Sequence, residues 1–421
     1  MDNPPASMGS MRGESNTMWH RLRTVLVAAT LLTPLAAAGQ TPAPDPVKIG
    51  VLTDMSGMYR DIMGPGSIIA AKLAISDFGG QVLGRPIHLV SADHQAKPDI
   101  GSNIAREWYD TEHVTAIVDV AQSAVALAVQ EVARERQKIA MYGVVGSPAI
   151  TQEACAPTTF SWSLNAYAIN APLPPLLIKQ GLDSFYFITA DYSFGQSMQN
   201  EATRAIKAAG GKIFGSVLFP QHNADFSLFL LQAKASGAKV IYLISAADDT
   251  TTALKQAHEF NISSNGQRIV TPLTYISNVH ALGLDEIKGS IFLTPFYWDM
   301  TSETRAFSAR FEKERGVMPT MDHAAVYSAT LHYLQAVQAA GTTDGPTVAK
   351  FMHSMPVHDF YAPSGVVRKD GWLMHDFYLA QIKSPEQSRY PWDYYTILKT
   401  IPAADTASPL SESKCPLVKH L

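Results

Sequence analysis

Val145-Gly146-Ser147-Pro148 opens a stretch, running to Asp183, in which an otherwise regular chain loses its rhythm. Pro148, Pro157, Pro172, Pro174 and Pro175 stud it. On its N-terminal side, short apolar runs at Val47–Leu52, Ile87–Ala92, Val114–Val120 and Ile139–Val144 alternate with helical patterns. On its C-terminal side the alternation resumes with Ser184–Ala190, Lys212–Phe219, Lys239–Ser245, Arg268–Ile276 and Ser290–Pro295. These runs are continuously apolar, as parallel strands covered on both faces are. The segments between them carry stripes of helical period: Ile100, Ile104 and Trp108, then Val125, Val129 and Val132. Strand–helix–strand repetition predicts an α/β fold with parallel sheets. One barrel of βα units would also alternate in this way. Barrel connections that hold no helix are much shorter than the stretch from Val145 to Asp183, however. A long irregular passage suits a crossover from one sheet to another, so the sequence predicts two α/β lobes.

The C-terminal third is less regular. Thr301–Arg315 and His323–Ala340 read as helices, the second with Tyr327, Leu331 and Leu334 on one face. Thr347–Met355 reads as a shorter helix stopped by Pro356. Gly365–Gln381 reads as a hairpin with Lys369-Asp370-Gly371 as its turn, and Arg389–Ile401 contains a strand. The last residues show no periodicity.

Of 421 residues, 46% are hydrophobic and 17% charged, which is ample for a two-lobed core. The formal net charge of -4 and the lack of a basic stripe argue against nucleic acid as a partner. Met18-Trp19-His20-Arg21-Leu22-Arg23 is followed by an apolar run from Thr24 to Leu35, too short to span a bilayer, and by Ala36-Ala37-Ala38-Gly39. This is the pattern of a secretory signal, residues 1–39, cleaved near residue 39. A short buried helix is the plainer alternative. Export places the only two cysteines, Cys155 and Cys415, in an oxidising compartment, where a disulfide is the simplest expectation and two free thiols the alternative. Cys415 would then staple the tail.

Catalytic signatures are missing: no G-x-S-x-G, no H-E-x-x-H and no G-x-x-x-x-G-K-[ST]. Gly79 to Arg85 reads as an ordinary helix-ending turn. His94, His222 and His280 stand singly, so neither a metal nor another cofactor is expected. What remains is binding. In open parallel sheets, ligands lie outside the C-terminal strand ends, where helix N-termini offer free N–H groups. Those positions include Tyr59, Ala121–Ser123, Gly146 and Ser147 in the first half, and Asp191, Tyr192, Phe194 and Tyr275 in the second. Ser123 precedes a helix at Ala124–Arg134. It either only caps that helix or also meets an anionic group there. Tyr59, Tyr192, Phe194, Tyr275, Tyr297 and Trp298 fall in facing loops, a pattern that fits a pocket wall.

Val47-Lys48-Ile49-Gly50-Val51-Leu52-Thr53-Asp54-Met55-Ser56-Gly57 resembles the opening of the Leu/Ile/Val-binding type of periplasmic binding protein, the solute-binding subunit of ABC importers. So do Gly64-Pro65-Gly66 leading into a helix that ends Asp77-Phe78-Gly79-Gly80, Ser91-Ala92-Asp93-His94-Gln95, and Thr189-Ala190-Asp191-Tyr192-Ser193-Phe194-Gly195. The resemblance runs to the Cys415-Pro416-Leu417-Val418-Lys419 tail. It implies a type I fold, two lobes joined by three hinge crossings near Phe160–Asn165, Thr294–Trp298 and Ala362–Gly371. Lobe 1 would comprise 47–162 and 296–364, and lobe 2 163–295 and 365–421 with the tethered tail. It also implies a periplasmic location, a monomer, and membrane permease subunits as partners. The ligand carboxylate is expected at Ala121–Ser123, with a second contact at Gly146–Ser147. Relatives hold an ammonium with an acid after the strand matching Arg268–Ile276, but here the loop reads Tyr275-Ile276-Ser277-Asn278-Val279. A buried ammonium without a partner is costly. The expected ligand is therefore a small organic carboxylate, an aromatic acid among the candidates, unless Asp191 supplies the missing charge. A branched-chain or other hydrophobic amino acid is the alternative ligand. A sensor for a signalling partner and an enzyme are the alternative functions.

Overall fold

A computed structural model describes residues 44–120, 122–143, 145–262 and 266–418. The secretory pattern at 1–39 and Ala121 lie outside the described residues. From the first described residues the chain runs β1 (Val47–Thr53), α1 (Gly64–Phe78), β2 (Gln81–Val82), β3 (Arg85–Asp93), α2 (Pro98–Asp110), β4 (Val114–Asp119), α3 (Ser123–Arg136) and β5 (Ile139–Tyr142). Pro65 and Pro98 sit in the first turns of α1 and α2, where a missing N–H is no loss. Every residue of β4 and β5 is buried, because the strands are covered on both faces.

The irregular stretch holds more structure than its sequence promises. After a 3-10 turn at Pro148–Thr151 come β6 (Thr159–Ser161), α4 (Ala166–Asn170) and α5 (Leu173–Lys179). Proline in the first turn starts α5 instead of breaking it. β6 closes the first sheet, whose order is β2-β3-β1-β4-β5-β6, parallel except for the short edge pair β2–β3. Then follow β7 (Ser184–Ala190), α6 (Ser193–Ala208), β8 (Lys212–Phe219), α7 (Ser227–Ala235), β9 (Val240–Ile244), α8 (Ala247–Glu259) and β10 (Arg268–Val270). These strands form a second parallel sheet in the order β10-β9-β7-β8. The passage from Tyr142 to Ser184 is thus a crossover between two sheets. β8 is an edge strand, and its residues alternate between exposed and partly buried where the sequence reading expected a continuous apolar run.

Three other expectations are corrected. The strand expected over Arg268–Ile276 ends at Val270, because the Thr271 and Thr274 hydroxyls bond each other at 2.6 Å and Tyr275 turns the chain into α9 (Ile276–Leu282). After α10 (Leu284–Ile287), β11 (Ile291–Thr294) does not extend the parallel sheet. α11 (Ser302–Arg315), α12 (Met321–Ala340) and α13 (Gly345–Ser354) come after it, and β11 pairs antiparallel with a later strand. The predicted hairpin exists as β12 (Val366–Val367) and β13 (Leu373–Met374) alone. β14 (Phe377–Ile382) leaves it to join β11 and β15 (Tyr395–Ile401) in a third, antiparallel sheet. Trp372 meanwhile bridges Ser161 of β6. Cys155 and Cys415 form a disulfide with Cα atoms 5.6 Å apart, tying the tail beyond α14 (Ala403–Thr406) to the segment before β6.

Candidate functional site

The C-terminal ends of both parallel sheets converge on one cavity. It is lined by Tyr59, Ile62, Met63, Gln122, Ser123, Gly146, Tyr192, Phe194, Ala246, Leu273 and Tyr275, and holds about 340 Å3 of unfilled space, part of it open to solvent. Tyr59 follows β1, Gln122 and Ser123 follow β4, and Gly146 follows β5, all from the first sheet. Tyr192 and Phe194 follow β7, Ala246 follows β9, and Leu273 and Tyr275 follow β10, all from the second. No lysine or arginine lines it.

Each wall has a local cause. The Asp54 carboxylate accepts the N–H groups of Gly57 at 2.8 Å and Tyr59 at 3.1 Å, folding a turn that presents the Tyr59 ring. Burial pushes the Tyr59 hydroxyl up to about 12. Its oxygen stands 3.3 Å from that of Tyr192, and the Tyr192 ring stacks on Phe194 with centroids 5.5 Å apart. Gln122, not Ser123, caps α3: its Oε1 accepts the Val125 N–H at 2.8 Å. Ser123 is instead the first residue of α3, buried against the cavity, which frees its hydroxyl from capping. The N–H groups of Ser123 and Ala124 have no acceptor within the helix. Asp119, Val120 and Gln122 all have positive φ, at 86°, 54° and 71°. Such strain in non-glycine residues gathers at ligand sites.

Of the residues expected from sequence, Tyr59, Ser123, Gly146, Tyr192, Phe194 and Tyr275 come together here. Ser147 is buried beside Gly146 but does not line the cavity. Asp191 is exposed and accepts the Gln196 side-chain amide at 3.2 Å, outside the lining. Tyr297 lies behind Tyr275 in a second cavity of about 220 Å3. Its hydroxyl donates to the Trp392 carbonyl at 3.0 Å and accepts the Tyr394 N–H at 3.0 Å, so it is fully engaged in the fold. Trp298 is held there likewise, its Nε1 donating to the same carbonyl at 2.9 Å. Sequence reading missed Met63, Ile62 and Leu273. These look like ordinary core residues, and only the turn at Asp54 and the early end of β10 bring them to the wall.

It also missed two acids. Asp119, at the end of β4, and Asp322, in the first turn of α12, are fully buried, and neither carboxylate has a hydrogen-bond partner in good geometry among the described residues. Burial pushes Asp119 up to about 6, against the pull of the nearby Ser67 and Thr53 hydroxyls. Burial also raises Asp322 well above the ordinary carboxylate value, helped by the charge of Asp119, with the Tyr275 hydroxyl acting in the opposite direction. Nothing in the spacing of Asp119 and Asp322 signals that helix packing will bring them together. Among the described residues, no group of three or more His, Cys, Asp or Glu is placed to hold a metal ion.

The family model described as periplasmic binding protein matches residues 46–388. The chain belongs to that family. Its members are extracytoplasmic, bind small molecules and work with the permeases of ABC transporters. A crystal structure of a periplasmic binding protein from Burkholderia mallei is 40% identical, with a TM-score of 0.86 over 89% of this chain and 99% of its own. A structure from Burkholderia xenovorans, described as a branched chain amino acid ABC transporter periplasmic ligand-binding protein, is 38% identical, with a TM-score of 0.82 over 89% and 100%. Leu/Ile/Val-binding protein homolog 6 of Brucella suis is 22% identical over 86% of this chain and 94% of its own. The two-sheet α/β architecture is therefore the type I periplasmic binding protein fold.

Proposed function

We propose that this periplasmic binding protein captures a small organic carboxylate between its two parallel sheets and presents it to the permease of an ABC importer. Residues 1–39 are the export signal in this reading. Residues 47–162 and 296–364 make one lobe, and 163–295 with 365–421 the other. The observation that carries the reading is the aromatic cavity whose lining is drawn from both sheets. A solute there touches both lobes, so its binding favours the closed arrangement. Aromatic walls take the apolar body, while Ser123 and the first N–H groups of α3 take the carboxylate without a cationic side chain.

A second reading, a hydrophobic amino acid, is favoured by Asp119 and Asp322. Asp322 brings a carboxyl group close to Tyr275, with Asp119 beside it, where the loop itself has none, and the Burkholderia xenovorans relative is described as a branched chain amino acid ABC transporter protein. Calorimetric titration of leucine, phenylalanine, phenylpyruvate and 4-hydroxybenzoate separates the two. The carboxylate reading expects phenylpyruvate or 4-hydroxybenzoate to bind more tightly than the amino acids. Ser123→Ala should weaken that binding by about 1–3 kcal/mol, the usual penalty for leaving a charged acceptor short of a donor. Tight leucine binding with no heat from the acids would overturn the ligand class.

A further inference from the structure

Gly146 has no backbone reason to be glycine, since its φ lies outside the left-handed region. What occupies the place of a side chain is a ring from the opposite sheet. A Cβ at 146 would stand 2.7 Å from Cε2 of Phe194 and 3.1 Å from Cγ, with Cδ2 nearer still. Real side chains do not approach that closely, and a rigid ring held in a core cannot bend aside as a flexible chain end can. Phe194 is so held. It is 5% exposed, sits in the first turn of α6 and stacks on Tyr192, whose hydroxyl meets that of Tyr59.

We infer that Gly146 and Phe194 are the apolar half of a clasp across the cleft, with Tyr59 and Tyr192 as its polar half. Resting on the capture reading above, this gives Gly146 and Phe194 a different part from Ser123: they fix how far the lobes close and how large the closed cavity is. The ring enters the first sheet's loop only because position 146 is bare. With the ring seated, Phe194 walls a small cavity, so the ring sets the size of solute that the cavity admits. Solutes with two rings are excluded by Phe194 itself, not by lack of polar partners.

A double-mutant cycle tests this, because the two residues should be coupled while neither is needed by the other's backbone. Gly146→Ala should weaken binding of 4-hydroxybenzoate, phenylpyruvate, leucine or phenylalanine, whichever binds the parent, by about tenfold. Placed on Phe194→Ala, the same change should have little effect, because the ring it strikes is gone. Phe194→Ala alone should admit a naphthoate that the parent rejects. An equal Gly146→Ala loss with and without Phe194 would overturn the clasp, as would naphthoate exclusion persisting in Phe194→Ala. Should none of the four solutes bind the parent, the carboxylate reading fails, and thermal midpoints then decide the clasp on their own. Gly146→Ala should lower the midpoint in the parent and not in Phe194→Ala, whereas additive midpoints would overturn it. Phe194→Leu provides the same cycle if the alanine variant does not fold.

Discussion

Asp119 shows how one residue joins the site to the stability of the molecule. It ends β4 with a positive φ, is wholly buried, and has its carboxyl raised to about 6 chiefly by loss of water. The folded state therefore binds a proton there more tightly than the unfolded chain, whose aspartates titrate near the ordinary value. The favourable contribution is full below about pH 4, falls as pH rises towards 6, and is lost above it. Asn at this position removes the charge that water no longer solvates. Asp119→Asn should accordingly be more stable than the parent at pH 8, by up to about 3 kcal/mol, with the advantage shrinking towards pH 4. Urea midpoints across that range measure it. A variant that is less stable than the parent by the same amount at every pH would contradict the reading. The fully buried Asp322 follows the same sign, being raised by burial and by the charge of Asp119. Ser123 shows the opposite case, in which the residue type was legible and its part was not. A serine ahead of an apolar helical stripe reads as a cap, but the preceding Gln122 takes the cap with its longer side chain.

The disulfide is the element-scale device with the clearest consequence. Cys155 and Cys415 are 260 residues apart in sequence, and between them they fix a tail that has little regular structure. Around the bond, Gln152 Oε1 accepts the Lys414 N–H at 2.8 Å and Val418 packs on both cysteines. The chain-entropy account gives so long a loop roughly 5 kcal/mol at most. Cys415→Ser should lower the thermal midpoint and raise amide exchange from Ala403 to Val418, leaving β4 and β9 protected. Exchange spread evenly over the whole chain would contradict a local staple. Gly371 anchors the neighbouring turn, with φ at 82° and a Cβ position that would overlap the Thr159 carbonyl. The Lys369-Asp370-Gly371 signal was readable for that reason. The parallel strands were readable too, since β1, β4, β5, β7 and β9 are apolar over most of their length. β11 misled because a short buried strand looks the same whether its neighbours run parallel or antiparallel. β6 was hidden among prolines, and its pairing with β5 comes from position in the fold, not from composition.

At the scale of the whole molecule, the two parallel sheets belong to different stretches of chain but point the same ends at one cavity. Across it, among the described residues, the Tyr59 and Tyr192 hydroxyls meet and the Phe194 ring stands against Gly146. The loops that carry them were identifiable from sequence, because every one follows an apolar run, and α/β sheets put ligands there. Which loop residues face each other was not, since that depends on the passage between the sheets and on where β10 stops. Tyr297 and Asp191 sit in equally plausible loops yet fall outside the cavity. Closure is expected to need a solute to hold it, because ligand must supply the differential free energy between open and closed. Small-angle scattering on the full mature protein, with and without whichever of phenylpyruvate, 4-hydroxybenzoate, leucine and phenylalanine binds, tests capture by closure most directly. The account predicts a smaller radius of gyration at saturation than without solute. An unchanged radius at saturation would contradict it.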